Sequence, residues 1–450
     1  RIAIVGLSAI LPSGENVRES WEAIRDGLNC LSDLPADRVD VTAYYNPTKG
    51  VKDKIYCKRG GFIPEYEFDS REFGLNMLQM EDSDANQTLT LLKVKEALDD
   101  ANIPAFTNEK KNIGCVLGIG GGQKASHEFY SRLNYVVVDK VLRKMGLPDE
   151  DVETAVEKFK ANFPEWRLDS FPGFLGNVTA GRCTNTFNME GMNCVVDAAC
   201  ASSLIAIKVA IDELLHGDCD AMIAGATCTD NALGMYMAFS KTPVFSTDQS
   251  CLAYDEKTKG MLIGEGSAMF VLKRYADAVR DGDTVHAVIR SCSSSSDGKA
   301  SGIYTPTISG QEEAILRAYR RAGVSPNTIT LVEGHGTGTP VGDKIELTAL
   351  RNVFDKAYGP GHKEEVAVGS IKSQIGHLKA VAGCAGLVKL VMALKHKTLP
   401  QSINVENPPN LVDGTVISDT TLYINTMNRP WITKPGVPRR AGISSFGFGG

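Results

Sequence analysis

A cysteine sits in a short alanine- and serine-rich frame between a predicted strand and a predicted helix. Cys200 lies in VDAACASSL, after an apolar run and directly before a helical pattern. A thiol at the N-terminus of a helix faces unpaired N–H groups and the positive end of the helix dipole, which favour the thiolate. The same N–H groups can stabilise an oxyanion formed beside them. The position predicts a nucleophilic Cys200, with a small buried cysteine as the alternative.

Two of the seven histidines occupy frames that the other five lack. His335 lies in EGHGTGTPVGD, where the glycines and threonines predict a tight loop whose backbone can approach a ligand. His377 lies in KSQIGH, again between a strand-like run and a helical pattern. Either histidine alone could be a structural residue. Because loops that follow strands meet at one edge of an α/β sheet, we expect Cys200, His335 and His377 to lie together.

The combination of these side chains indicates the reaction. A cysteine with one histidine is typical of a thiol hydrolase. A cysteine with two histidines and a lysine, here Lys372, fits a different task. Two neutral imidazoles can donate hydrogen bonds to one thioester oxygen and stabilise an enolate, which is what carbanion formation by decarboxylation requires.

Four blocks of the sequence resemble the signature blocks of the β-ketoacyl synthases, in the order and spacing of that family. They are VDAACASSL, EGHGTGTPVGD, KSQIGHLKAVAGCAG and GISSFGFGG. The resemblance covers essentially the whole chain. It implies an acyltransferase that performs decarboxylative Claisen condensation with malonyl carrier protein. It also implies an α/β thiolase fold, with two pseudo-repeated halves in five α-β-α-β-α layers, and a homodimer.

The resemblance also implies a role for each catalytic residue. Cys200 would accept the growing acyl chain from an acyl carrier protein. His335 and His377 would stabilise the enolate formed as the malonyl thioester loses carbon dioxide. Lys372 would tune the two histidines through its charge and its hydrogen bonds.

Further residues match the family's contacts to the substrate arm and the oxyanion. Thr337 and Thr339 match the contacts to pantetheine. Phe448 matches the gating phenylalanine, and its backbone N–H together with that of Cys200 matches the oxyanion hole. The family implies no intrinsic cofactor and no metal, since the acyl and malonyl thioesters arrive on the phosphopantetheine of acyl carrier protein domains.

Individual residues and segments indicate which subgroup of the β-ketoacyl synthases the chain resembles. Gly386 stands where the stand-alone fatty-acid synthases of this family carry a glutamate, and modular polyketide synthases share that glycine. The segments 56–65, 118–124, 170–182 and 239–247 resemble the first ketosynthase of polyunsaturated-fatty-acid synthase megaenzymes. Ala199 and Ala201 flank the cysteine as in that subgroup. The predicted product is therefore a polyunsaturated fatty acid or a polyketide.

Two alternatives share features with this interpretation. A degradative thiolase has the same fold, but its second catalytic cysteine stands in a C-x-G frame that GISSFGFGG lacks. A non-catalytic scaffold of the chain-length-factor type would have lost the nucleophile. Cys200, both histidines and Lys372 are present in this chain, which argues against that scaffold.

Short apolar runs alternate with helical patterns along the chain, which predicts helices covering sheets. We expect strands at 1–5, 113–118, 194–197, 221–225, 268–272, 286–291, 328–332 and 365–370, and helices at 203–215 and 380–395. The first helix should end at Gly217. We divide the chain into an N-terminal half, 1–250, with a helical insertion near 123–170, and a C-terminal half, 251–450. Both ends indicate a piece excised from a larger multidomain chain.

Composition excludes several other classes of protein. The chain has a net charge of -6 and no basic run, so its charge pattern does not predict a surface that binds nucleic acid. No apolar stretch is long enough to span a membrane. The eleven cysteines include no C-x-x-C pair and predict neither a disulfide framework nor a zinc site. Reduced thiols and the lack of a secretion signal predict a cytoplasmic location.

Overall fold

A computed structural model of the chain describes residues 1–120, 123–299, 302–303 and 305–449. Residue 450, the end of the predicted C-terminal half, lies outside these ranges, as do residues 121 and 122 of the segment 118–124. The order of elements is mixed, with strands separated by helices, as the alternating sequence pattern predicts.

A mixed sheet contains the long strands. In sheet order it consists of β5 (Asn193–Val196), β4 (Ile113–Gly118), β6 (Ala221–Cys228), β7 (Gly266–Arg274), β1 (Ile2–Ile10) and β8 (Ala287–Ile289). Strand β4 pairs parallel with β5 and β6, whereas β7 pairs antiparallel with β6 and β1. Strand β8 pairs antiparallel with β1. Every residue of β1, β4 and β6 is buried, because helices cover both faces of this sheet.

A second, parallel sheet contains β12 (Leu422–Ile424), β10 (Val366–Gly369), β9 (Leu331–Glu333) and β14 (Ala441–Ile443), in that order. Two small antiparallel pairs complete the described strands. They are β2 (Leu31–Asp33) with β3 (Arg59–Gly61), and β11 (Thr398–Leu399) with β13 (Arg429–Pro430).

The helices connect these strands. They are α1 (Val17–Asp26), α2 (Val41–Tyr44), α3 (Met77–Asp82), α4 (Ala85–Asp100), α5 (Lys124–Arg132), α6 (Tyr135–Lys144), α7 (Asp149–Lys160), α8 (Ser170–Gly173), α9 (Gly176–Thr186), α10 (Ser202–His216), α11 (Leu233–Lys241), α12 (Tyr275–Asp281), α13 (Ile308–Ala322), α14 (Pro340–Tyr358), α15 (Lys372–Ile375) and α16 (Ala382–His396). Short 3₁₀ turns lie at Ala199–Ala201, Pro326–Thr328, Lys379–Val381 and Ile417–Asp419.

Helices and sheets stack in five layers. The central layer is α10 and α16, whose apolar residues share one core with both sheets, as Ile207 and Val388 do. Helices α4 and α9 cover the outer face of the first sheet. Helices α13 and α14 cover the outer face of the second. This is the predicted α-β-α-β-α arrangement, and it puts the N-termini of α10 and α16 at the centre of the molecule.

The predicted elements are present, with shifted ends. Strand β4 has the predicted bounds, and α10 ends at Gly217, whose φ of 90° suits a glycine. The strand predicted at 328–332 begins only at Leu331, because the Thr328 N–H closes a turn onto the Ser325 carbonyl. Strands β7 and β8 join the first sheet from beyond residue 250. The division into halves at that residue stays a prediction.

The region near 123–170 forms α5, α6 and α7, as its helix-prone composition predicts. It is attached to the body by an aromatic cluster of Phe129, Trp166 and Phe174. Helix α6 buries none of its residues. None of the described helices is long and apolar enough to cross a membrane.

Candidate active site

Cys200 lies in the tight turn between β5 and α10 that its sequence frame predicts. Ala199 has a φ of 48°, in the left-handed region that costs a non-glycine residue about 1 kcal/mol or more. The Asp197 carboxylate accepts a hydrogen bond from the Ala199 N–H at 2.9 Å. The Ser202 hydroxyl accepts from the Ala198 N–H at 2.9 Å and donates to the Ala199 carbonyl at 2.6 Å. These local bonds stabilise the turn and fix the direction of the thiol.

The thiol of Cys200 is a weaker acid than its position at a helix N-terminus predicts. Burial raises its pKa, whereas the charge of Lys372 and the backbone N–H groups of Phe448 and Cys200 lower it. Burial is the largest of these effects, so the resting side chain at neutral pH is the thiol. The expectation that the helix favours the thiolate is wrong, because desolvation of the sulfur outweighs the helix dipole.

His335 follows β9 in a loop that two carboxylates of α14 hold by its backbone. The Glu346 carboxylate accepts from the N–H groups of His335, at 2.6 Å, and Gly336, at 2.8 Å. The Asp343 carboxylate accepts from the Gly338 N–H at 3.1 Å. The imidazole Nδ1 of His335 accepts a hydrogen bond from the Phe446 N–H at 3.3 Å. Because Nδ1 is an acceptor, the ring proton is on Nε2.

His377 follows α15 and is held on both sides by backbone. Its own N–H donates to the Leu262 carbonyl at 2.7 Å, and its carbonyl accepts from the Gly264 N–H at 2.8 Å. Its Nδ1 accepts from the backbone N–H of Lys379 at 2.9 Å. His377 therefore carries its proton on Nε2, as His335 does.

The two imidazoles form a neutral pair. Their ring centroids are 5.4 Å apart and the rings are nearly perpendicular, at 87°. Burial holds the pKa of each ring well below its usual value, and the charge of Lys372 lowers both further. Two Nε2–H groups in one cavity can donate to a shared oxygen without delivering an ionisable proton at neutral pH.

Lys372 lies behind this pair rather than in the wall of the cavity. Its Nζ donates to the main-chain carbonyl of His335 at 2.5 Å, and the side chain is 3% exposed. Burial lowers the pKa of Lys372, while Glu333 and Glu346 oppose that shift. The Glu333 carboxylate is itself 2.6 Å from the ammonium of Lys389. The position of Lys372 allows it to act on both imidazoles and on the thiol through its charge.

The C-terminal loop brings a further N–H to the cysteine. Gly447 packs so closely on the Ala198 carbonyl that a Cβ there would lie 2.4 Å from that oxygen, so only glycine fits. This contact places the Phe448 N–H against the Cys200 thiol, while the Phe448 ring is 51% exposed. The predicted pair of N–H donors, from Cys200 and Phe448, is thus assembled around the sulfur.

A cavity of about 1630 Å³ opens over these groups. Its wall includes Cys200, His335 and His377, together with Thr337 and Thr339, whose hydroxyl oxygens are 2.9 Å apart. From the thiol the cavity also reaches apolar side chains at Met235, Phe239 and Met261. Among the described residues, no group of histidine, cysteine and acidic side chains could hold a metal ion.

The structure brings together all of the predicted site residues and adds several that sequence reasoning missed. Phe446 and Lys379 supply the N–H donors that set the tautomers of the two histidines. Glu346 holds the His335 loop from α14. Of these three residues, only Lys379 could have been identified from the sequence, because it is a second lysine two residues after a candidate histidine.

Comparisons with known proteins show the family of the chain. The family model described as beta-ketoacyl synthase, N-terminal domain, matches residues 1–278, and the corresponding C-terminal domain matches residues 286–406. The chain is 82% identical over 450 residues to one of the subunits of the polyunsaturated fatty acid synthase of Thraustochytrium sp., and it covers 16% of that relative. It is 34% identical over 450 residues to polyketide synthase PksL of Bacillus subtilis, of which it covers 9%. Each match spans the whole chain, which corresponds to a small part of these long relatives.

Solved structures give the same result. A ketosynthase from module 6 of the bacillaene synthase of Bacillus subtilis superposes with a TM-score of 0.83 at 31% identity, covering 100% of this chain and 70% of that one. The structure titled PfaC keto synthase-chain length factor has a TM-score of 0.86 at 31% identity, covering 99% of this chain and 46% of that one. With its thiolase-like fold, the chain belongs to the β-ketoacyl synthase family, whose ketosynthases are condensing enzymes of the acyltransferase type.

Proposed function

We propose that this chain carries an acyl group on Cys200 and condenses it with malonyl carrier protein in the synthesis of a polyunsaturated fatty acid. The main support for this proposal is a pair of neutral imidazoles, both with Nε2–H donors, that line one cavity together with a cysteine. The product class is supported by the 82% identity to part of a polyunsaturated fatty acid synthase. A polyketide is the second candidate, favoured by the identity to PksL.

The first step is acyl transfer. The Cys200 sulfur attacks the acyl thioester, the bond between the carbonyl and the carrier sulfur breaks, and the thiol proton ends on the departing phosphopantetheine thiol. The oxyanion that forms in between accepts hydrogen bonds from the N–H groups of Cys200 and Phe448. Both groups already hydrogen-bond the resting thiol, which supports this assignment.

The second step is decarboxylation. The bond between the malonyl methylene and its carboxylate breaks, carbon dioxide leaves, and the electron pair forms an enolate whose oxygen accepts from the Nε2–H groups of His335 and His377. Their depressed pKa keeps both rings neutral, so the enolate is stabilised and not simply protonated. Lys372 acts from behind through its charge and its bond to the His335 carbonyl.

The third step is condensation. The methylene carbon attacks the acyl thioester on Cys200, a carbon–carbon bond forms, and the Cys200 sulfur leaves as the thiolate and takes up a proton from water. The charge of Lys372 lowers the pKa of that sulfur and so makes it a better leaving group. Thr337 and Thr339 contact the pantetheine arm at the cavity wall, and the exposed Phe448 ring gates the entrance.

Partners and location follow from the same proposal. Acyl carrier protein domains deliver both thioesters, and the chain needs no cofactor of its own. A homodimer is supported by β5, an edge strand of the first sheet whose residues Cys194–Val196 are only partly buried. A cytoplasmic location is supported by the eleven cysteines, which are all free thiols.

Acyl loading followed by intact-mass analysis tests the proposal. Wild-type protein incubated with acyl carrier thioester should gain one acyl mass, mapped to Cys200, and should then form a β-ketoacyl carrier when malonyl carrier is added. Cys200→Ala should keep the fold, because one small residue replaces another, and should gain no acyl mass. Cys292→Ala is the matched control, because Cys292 also lines the cavity but stands in no such turn. Loading of the Cys200→Ala protein would overturn the assignment, as would a wild type that cannot be loaded, the result expected of a scaffold.

A further inference from the structure

A second buried lysine stands beside the histidine pair. Lys379 lies two residues after His377, in the 3₁₀ turn before α16, and is 7% exposed. Its Nζ donates to the Asn231 side-chain oxygen at 2.7 Å and to the Gly264 carbonyl at 2.5 Å. Both partners are neutral oxygens, and the lysine belongs to the wall of the cavity.

The backbone of Lys379 is also unusual. Its φ is 54°, in the left-handed region that a lysine rarely adopts. This conformation turns the Lys379 N–H back onto Nδ1 of His377. The side-chain anchors hold the residue there, because Asn231 is fully buried and its amide nitrogen donates in turn to the Gly61 carbonyl at 3.1 Å.

The same anchors tie Lys379 to the main chain of His377. The Gly264 carbonyl accepts from the lysine Nζ, while the Gly264 N–H donates to the His377 carbonyl at 2.8 Å. The lysine side chain, Gly264 and His377 therefore form one connected unit. A shift of the Lys379 ammonium would therefore move Gly264, and with it the His377 backbone that carries the imidazole.

We propose that Lys379 is a positioning residue of the condensing site, which fixes His377 as the Nε2–H tautomer and supplies a second positive charge to the imidazole and to Cys200. The proposal rests on the function proposed above. Lys379 acts through His377 and through its own charge, and not by contact with the substrate. Its charge lowers the pKa of His377 and of Cys200, in the same direction as that of Lys372.

Other charged and titratable groups face this unit and must be considered with it. The Glu265 carboxylate next to Gly264 is neutralised by Arg38, which it contacts through two hydrogen bonds at 2.8 and 3.0 Å. The remaining groups around His377 and Lys379 are Lys372, His335, Cys200, Cys228 and Asp230. None of them hydrogen-bonds the Lys379 ammonium in the part of the chain that the structure describes.

Lys379→Met tests the proposal, because it removes the charge and the anchors but keeps the chain length and the backbone N–H. Loss of a nearby cation should raise the pKa of Cys200 further. Alkylation of Cys200 by iodoacetamide, followed by mass spectrometry across pH 6–10, should then be slower than in wild type at each pH below that pKa, because a smaller fraction of the thiol is ionised. The pH midpoint for protonation of His377, read from its imidazole ¹⁵N resonances, should also move up.

Lys397→Met is the matched control. Lys397 lies at the other end of α16, has a φ of 53° and is exposed. It should leave both midpoints where they are in wild type. A purely structural role of Lys379 would lower the rate of carbon dioxide release from malonyl carrier without moving either midpoint, and that result would overturn the proposal. If wild type itself neither loads Cys200 nor releases carbon dioxide, the proposed function is at fault and not the role of Lys379.

Discussion

Replacing His377 with alanine removes one of the two Nε2–H donors aimed into the cavity. The ring is 1% exposed and its Nδ1 accepts from a backbone N–H, so its only free hydrogen-bonding group is Nε2–H. Loss of one such donor to a developing oxyanion costs about 3–4 kcal/mol, or roughly a hundred- to a thousandfold in rate. In the proposed mechanism acyl loading uses the N–H groups of Cys200 and Phe448 instead, so we expect it to change much less.

Two measurements on the same protein separate these steps. Intact mass after incubation with acyl carrier reports loading of Cys200, and trapped carbon dioxide from malonyl carrier reports decarboxylation. His377→Ala should still load and should release carbon dioxide at least a hundredfold more slowly. His362→Ala is the control, because His362 is a surface residue bonded to Glu365 and should behave as wild type. A His377→Ala protein that loses loading while keeping decarboxylation would show that the roles assigned here are reversed.

Three further outcomes are expected. In Cys200→Gln a neutral amide fills the place of the acyl thioester, so malonyl carrier should lose carbon dioxide faster than on unacylated wild type, and an inert variant would show that decarboxylation needs the sulfur itself. The free energy of unfolding should fall as the pH is lowered from about 7 to 5, because His335 and His377 take up protons near their usual pKa of 6.5 in the unfolded chain but stay neutral in the folded one. A variant with both histidines replaced by alanine that shows an equally steep pH dependence in chemical denaturation would contradict this. Light scattering at micromolar concentration should find a homodimer, and a fully active monomer would refute it.

The sequence carried most of the fold because its strongest patterns are local. The apolar run of β4 and the helical spacing of α10 with Gly217 at its end were both predicted close to their observed bounds. Which strands pair was beyond such reasoning. Strand β8 pairs with β1, which lies almost three hundred residues earlier in the chain. Neither strand has a sequence pattern that predicts the other as its partner. Register and sheet order come from long-range packing, which a single sequence does not display.

The candidate site divides in the same way. Cys200, His335 and His377 could be found because each stands in a conspicuous turn, and the family resemblance then supplied the role of Lys372 and added Phe448. The tautomers could not be predicted, since they depend on N–H donors from Phe446 and Lys379 that only the folded chain brings to the rings. The acidity of Cys200 was predicted in the wrong direction, because a sequence displays the helix that follows a thiol but not the surroundings that desolvate its sulfur.

Helix α6 has a practical consequence for anyone who wishes to modify this domain. None of its residues is buried, so changes to this helix remove no contact with the hydrophobic core. It leads into an exposed turn at Gly146, whose φ of 80° already accommodates an abrupt change of chain direction. Exposed turns of this kind tolerate insertions well. A fluorophore tag, an epitope or a second domain spliced in at this turn should leave the condensing machinery intact, which makes the turn a suitable attachment point for imaging or immobilising the synthase.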